Sequence, residues 1–176
     1  MKKFFKIFLC LFVLIGAPSQ AFSGEWWLFV SGGASDRQSA AADLTLRRTF
    51  DAVYENEELS ILPLVEISAN YIRKNSNNDF WSGTLSGGGL AVFNREGIWR
   101  PYASLTFGGA FFSETTFYNK NFGISFQFRT KGAVGIQFGD DFRHSIQADF
   151  AHFSNGGINE HNSGINTYCI SYGFRF

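Results

Sequence analysis

The sequence predicts an all-β chain: an eight-stranded antiparallel transmembrane β-barrel with a filled interior, set in a bacterial outer membrane. Three observations predict it. The chain opens on an export signal. It is rich in aromatic residues yet has no hydrophobic run long enough for a helical span. Apolar and polar residues alternate in segment after segment, up to a terminal Phe176.

The export signal comes first. Lys2, Lys3 and Lys6 form a basic start, Phe8 to Ala17 is an apolar run too short to cross a bilayer, and small residues follow at Ser19 and Ala21. Cleavage is expected after Ala21, with Ser23 the nearest alternative. Residues 1–21 are therefore a signal peptide and 22–176 the barrel domain. Cys10 lies within the apolar run without the small residues of a lipoprotein box before it, so no lipid anchor is expected. The remaining cysteine, Cys169, has no partner for an intramolecular disulfide.

Composition narrows the class. Once the three signal lysines are gone, twelve cations face fifteen acidic residues, a net charge near −3, which argues against nucleic acid as a partner. The chain carries 22 Phe, 6 Tyr and 4 Trp, yet no mature segment approaches the 18 or so consecutive apolar residues of a membrane helix. A barrel reconciles the two facts, because only every second residue of a strand faces lipid.

The alternation places eight strands, at about 25–35, 42–53, 60–73, 80–93, 98–112, 122–139, 144–154 and 164–176. Leu44, Leu46 and Phe50 oppose Asp43, Thr45, Arg47 and Thr49, with Arg48 out of phase. Ile61, Val65, Ile67, Ala69 and Tyr71 share a face opposite Glu66, Ser68 and Asn70. Ile124, Phe126 and Phe128 alternate with Ser125, Gln127 and Arg129, and the same parity resumes at Val134, Ile136 and Phe138. In the last strand Tyr168, Ile170, Tyr172, Phe174 and Phe176 hold one parity without a break. Turn residues at Glu55–Glu58, Lys74–Asp79, Asn94–Gly97 and Gly139–Arg143 separate the runs. Eight strands enclose an interior that side chains can fill, so an open pore is not expected. Asp149 and Arg129 have lumen-facing parity and are expected in a buried polar network. Gly87, Gly88 and Gly89 are expected to mark a kink or close packing, and Trp26, Trp27, Trp81 and Trp99 to sit at the membrane interfaces. The competing reading is a soluble periplasmic β-sandwich, which would turn its aromatic face inward and has no need to stop on an aromatic. The closing strand with its final Phe resembles the signal that the barrel-assembly machinery reads.

The chemistry is concentrated in Ala151-His152-Phe153-Ser154-Asn155-Gly156-Gly157 and in Asn162-Ser163-Gly164-Ile165-Asn166. His152 and Ser154 share the parity of Ile146, Ala148 and Phe150, which puts both on the outward, apolar face. Asn166 shares the parity of the aromatic stripe and faces out too, and a hairpin brings it beside His152. Residues two apart on a strand stand about 6.6–6.8 Å apart and point the same way. A His and a Ser so placed can form a base and a nucleophile, with a third group orienting the imidazole. Asn155 and the amides around Gly156 and Gly157 are the expected oxyanion donors. A His and a Ser on a lipid-facing parity make sense where the substrate arrives from the bilayer.

This stretch resembles the lipid A 3-O-deacylase (PagL-type) outer-membrane esterases, whose pattern is His-x-Ser-Asn-Ala-Gly with Asn-x-Gly soon after and an acidic residue completing a triad. Residues 151–176 carry the specific likeness. The resemblance implies hydrolysis of the ester-linked acyl chain at position 3 of lipid A in lipopolysaccharide, by a Ser–His–acid site on the outside of the barrel. It implies no metal and no cofactor, and leaves a homodimer open. The family's acidic position holds Asn166 here. An Asn can accept from the imidazole N–H but cannot stabilise imidazolium as a carboxylate does, so a slower enzyme is expected. Glu160 is the alternative third member. A non-catalytic barrel that stabilises the membrane or mediates adhesion is the reading from a different class. An acyltransferase, the third, would need an interior acyl pocket.

Overall fold

The structure is a computed structural model that describes residues 24–36, 39–73, 80–93 and 97–176. The expected signal peptide, the turn at 74–79 and the start of the turn at 94–97 lie outside the described residues.

Eight long strands form the wall: β1 (Trp26–Ser35), β2 (Ala40–Thr49), β3 (Leu59–Ile72), β4 (Phe80–Phe93), β5 (Trp99–Phe112), β6 (Phe126–Phe138), β7 (His144–Ser154) and β8 (Ile165–Arg175). Each pairs antiparallel with its neighbours in the sequence, and β8 pairs with β1 to shut the ring. At that seam Leu28 is opposite Phe174, Val30 is opposite Tyr172, and the Phe176 N–H donates to the carbonyl of Trp26 at 3.1 Å.

Two strands differ from expectation at their ends. The second stops at Thr49 rather than 53. Residues beyond it turn back, and Tyr54–Glu55 pairs with the start of β3 at Ile61 and Ser60. Asn56 Oδ1 closes that turn by accepting the N–H groups of Glu58 and Leu59 at 3.0 and 2.8 Å. The sixth begins at Phe126 rather than 122, because Phe122 buries its ring instead of extending the wall. It packs at 5.1 Å from Phe112 and 5.8 Å from Phe80, while the Gln127 side-chain amide holds the carbonyls of Phe122 and Ile124. Together with Phe117, beside the turn of a small hairpin (Thr116–Phe117 against Lys120–Asn121), Phe122 stoppers this end of the barrel over Phe80, Phe112 and Phe153.

Period-two alternation sorts the rest. Val30, Leu44, Val65, Leu85, Leu105, Phe107, Val134, Ile146, Phe150 and Ile170 are exposed on the outside, as a lipid-facing wall requires. Aromatic rings gather near both rims of this wall: Tyr71 with Trp81 and Phe111 with Phe126 toward one end, and Trp99, Phe138, His144 and Phe174 toward the other. The out-of-phase Arg48 lies on the outside with its guanidinium over Trp26 and Phe50, 5.2 and 5.5 Å from their rings. Trp27 corrects an expectation. It follows Trp26 on the same strand, so only one of the pair can face out. Trp27 is 2% exposed and stacks on Phe29 inside the barrel.

The interior is filled by ionic pairs. Arg47 Nη2 lies 2.7 Å from Glu66 Oε1, Arg129 Nη2 3.3 Å from Asp43, and Lys131 Nζ between Glu66 at 3.6 Å and Asp149 at 3.5 Å. Asp149 and Arg129 thus take the lumenal positions their parity predicts. Tyr102 extends the network by donating to Gln147 Oε1 at 2.6 Å. In the Gly87–Gly89 run the close packing belongs to Gly88, where a Cβ would stand 2.0 Å from the Leu105 carbonyl oxygen on β5.

Candidate active site

β7 ends at Ser154, beside the aromatic rim formed by Phe126 and Phe111. Along its last turns Ala151 and Phe153 are buried inside while His152 and Ser154 stand half-buried on the outside, as their parity predicts. The ladder sets His152 opposite Thr130 on β6 and opposite Asn166 on β8, and Ser154 opposite Phe128. Across the β7–β8 pair, His152 Nδ1–H donates to Asn166 Oδ1 at 2.6 Å. That bond leaves Nε2 as the ring's lone-pair nitrogen, on the edge remote from Asn166. Ser154 Oγ makes no hydrogen bond to a described residue, His152 included.

The ring's position depends on Gly164. A Cβ there would stand 2.8 Å from His152 Cε1 and 3.3 Å from Nε2, so any larger residue drives the imidazole from its place. Glu160 is exposed in the hairpin loop, and His152 Nδ1, the nitrogen it would have to engage, is already occupied by Asn166.

The three expected oxyanion donors have different fates. The Asn155 side chain is fully buried. Its Nδ2 donates to the carbonyls of Phe122 at 2.9 Å and His161 at 2.7 Å, and its Oδ1 accepts the Gly157 N–H at 2.9 Å. The Asn155 N–H itself donates to Asn162 Oδ1 at 2.8 Å. Asn155 and Gly157 are thus committed to shaping the loop. The Gly156 N–H has no partner among the described residues, and Gly156 sits at φ 64°, a left-handed conformation that glycine adopts without strain.

Three participants were not visible in the sequence as such. Asn162, within the quoted motif but without a role there, organises the loop after Ser154. Asp36, just past β1, accepts from both the backbone N–H and the Nδ2 of Asn166 at 3.3 and 3.4 Å. Lys120, from the hairpin over the barrel mouth, pairs with Asp36 at 3.0 Å and donates to the Gly164 carbonyl. The spacing of these residues along the chain holds no signal. Only the β1–β8 register and the fold of the 113–125 connection bring them together.

The pattern His-x-Ser-Asn, the Asn-x-Gly that follows and an outward site on an eight-stranded barrel can be compared with known proteins. A family model described as Lipid A 3-O-deacylase (PagL) matches residues 39–175. The chain belongs to the PagL family. Among curated proteins, the lipid A deacylase PagL of Bordetella bronchiseptica is 32% identical over 77 residues, which are 44% of this chain and 42% of that protein. The aligned part thus spans less than half of that relative's length. The solved outer membrane enzyme PagL superposes with a TM-score of 0.76 at 20% identity, over 84% of this chain and 98% of that one. Neisserial surface protein A shares the fold at a TM-score of 0.57 and 11% identity, over 88% of this chain and 97% of that one. Like the rest of the PagL family, this barrel is an outer-membrane protein. Asp36 lies ahead of the segment that the PagL model matches.

Proposed function

We propose that this PagL-family barrel is a serine esterase that hydrolyses the 3-O-linked acyl chain of lipid A, with Ser154 as nucleophile, His152 as base and Asn166 as the group that orients it. The observation that carries the reading is the 2.6 Å bond from His152 Nδ1–H to Asn166 Oδ1, made on the same lipid-facing side of the wall as Ser154, two residues along the strand. A polar pair is costly on that surface, and a substrate already in the membrane accounts for its place there.

The long connections 113–125 and 155–164 leave the barrel at the Ser154 end, while at the other end 139–143 is a short turn and 50–58 folds back onto the start of β3. Outer-membrane barrels have short periplasmic turns and longer outer loops, so Ser154 stands at the level of the outer leaflet, where lipid A is found. On the outer wall below the site, the small residues Gly32, Gly132 and Ala148 lie among the exposed side chains of Phe150, Tyr168 and Ile170. An acyl chain laid along these residues meets apolar surface while its ester reaches Ser154.

Ser154 Oγ attacks the ester carbonyl carbon as His152 Nε2 takes the hydroxyl proton, and the imidazolium is held by its Nδ1–H bond to Asn166. The Gly156 N–H donates to the oxyanion of the tetrahedral intermediate, aided by the chain's sharp turn there. As the intermediate collapses, the sugar hydroxyl leaves with the proton from His152 and the acyl group stays on Ser154. Water, deprotonated by the same nitrogen, then releases the fatty acid and restores the serine. No step calls for a metal or a cofactor.

Mass spectrometry of lipid A from a host that lacks such an activity tests the reading. Expression of the wild-type chain is expected to remove one 3-linked hydroxyacyl chain, and Ser154→Ala to leave lipid A intact. An unaltered lipid A profile with the wild-type protein folded in the membrane overturns the reading in favour of a non-catalytic barrel.

A further inference from the structure

Asn166 poses a problem that a glutamate in its place would not. A carboxylate can only accept, so it always holds a neutral histidine with its proton on the near nitrogen. A carboxamide has two faces. With Oδ1 toward His152 it fixes the proton on Nδ1 and leaves Nε2 basic. Turned over, its Nδ2 donates to Nδ1, the proton moves to Nε2, and the ring can no longer take the Ser154 proton. The wrong tautomer is known to silence a serine–histidine site even where every atom stays in place.

The structure contains a group that decides between the faces. Asp36 Oδ2 lies 3.4 Å from Asn166 Nδ2 and 3.3 Å from its backbone N. The Asp36 N–H in turn donates to the Asn166 carbonyl at 3.0 Å, so the two residues are docked by main chain and side chain together. The carboxylate is held by Lys120 Nζ at 3.0 Å, and Lys120 also ties to the Gly164 carbonyl, next to the ring. A turned amide would set its Oδ1 against this carboxylate and lose the Nδ2 bond, two penalties at once.

We infer that Asp36 is a positioning residue of the site: by accepting from Asn166 Nδ2 it locks the carboxamide with Oδ1 toward His152 and so sets the tautomer that makes Nε2 a base. Asp36 stands one residue behind Asn166 as a carboxylate paired with Lys120, acting on the ring through the carboxamide. The chain thus spreads over Asn166 and Asp36 what one acidic side chain does in the pattern it resembles. The inference rests on the esterase reading for its catalytic consequence, though not for its structural content.

Two measurements on the full-length protein in detergent or nanodiscs test it. The first is independent of turnover: 15N NMR of histidine-labelled protein at a pH where the imidazoles are neutral, with His144 and His161 as internal references. The wild type is expected to show His152 as the Nδ1–H tautomer, and Asp36→Ala to shift it toward Nε2–H. The second is lipid A hydrolysis. Asp36→Ala is expected to lower kcat by about 10- to 100-fold with KM little changed, as befits a group felt through the base. Asp36→Asn, which keeps an acceptor but can itself turn, falls between. In the double variant Asp36→Ala/Asn166→Glu, where the 166 side chain can only accept, the rate is expected to recover. If Asp36→Ala leaves the His152 tautomer unchanged, the inference is overturned. The same holds if the loss in kcat persists unaltered in the Asn166→Glu background, since that marks a general structural defect. The expected tautomer shift in Asp36→Ala, found alongside a wild-type protein without effect on lipid A, defeats the esterase reading and leaves the role of Asp36 standing.

Discussion

The two faces of β7 put polar residues to opposite uses. Inside, Gln147 and Asp149 join a lumen where Arg47, Arg129 and Lys131 meet Glu66, Asp43 and Asp149 at 2.7 to 3.8 Å, cations and anions in equal number. Outside, His152 and Ser154 stand on an apolar wall with a single side-chain hydrogen bond to the described residues, that of His152 to Asn166. The inner set is matched and has no access to substrate. The outer set is sparse and faces the bilayer. What separates the two polar clusters here is less the residue types than whether charges are paired with one another inside the barrel or polar groups are left on the wall where a lipid can reach them.

Mutations should separate the two faces cleanly. The largest effect is expected from Ser154→Ala, which removes the proposed nucleophile: deacylation should fall by at least about 10³-fold, while the barrel's heat-modifiable migration on gels stays as in the wild type. Glu66→Ala should do the reverse. It strands Arg47 and Lys131 in the lumen and is expected to lower stability in a urea titration by about 3–5 kcal/mol, with the activity of the folded fraction preserved. Were Glu66→Ala to abolish turnover in protein shown to be folded, the division between the faces would fail. Gly164→Ala should come next, because its Cβ would press on His152 Cε1 at 2.8 Å. Steady-state kinetics are expected to show a loss in kcat of about 10²-fold, the cost of a misplaced base, with unfolding little affected. Smallest is Glu160→Gln, at an exposed position away from the His152–Asn166 bond, where rates should stay within about 2-fold of wild type by the same assay.

Much of this arrangement could be read from the residues because strand geometry is a strict code. Once Phe150, His152 and Ser154 share parity and Asn166 shares that of Tyr168 and Ile170, their side of the wall follows, and hairpin pairing brings His152 and Asn166 together. The code has limits that physics explains. It could not tell which of Trp26 and Trp27 faces lipid without a fixed starting phase. It extended the sixth strand back to residue 122, because Ile124, Phe126 and Phe128 alternate properly, although Phe122 has more to gain by burying its ring at the mouth. It offered Asn155 as an oxyanion donor from its place after Ser154, whereas the loop uses both the side chain and the N–H of Asn155 to hold its own shape. Asp36 was out of reach altogether, since its meeting with Asn166 spans 130 positions of sequence and depends on the register of the first strand against the last.

That register has a consequence for timing. Asp36 follows the strand made first and Asn166 belongs to the strand made last, and they touch only across the seam where the ring shuts. A chain still on its way through the periplasm, with its edges unpaired, has the serine and the histidine but nothing to choose between the two protonation patterns of the ring. On the esterase reading proposed above, reactivity toward esters is thereby a property of the finished cylinder alone, and maturation and competence arrive in one step.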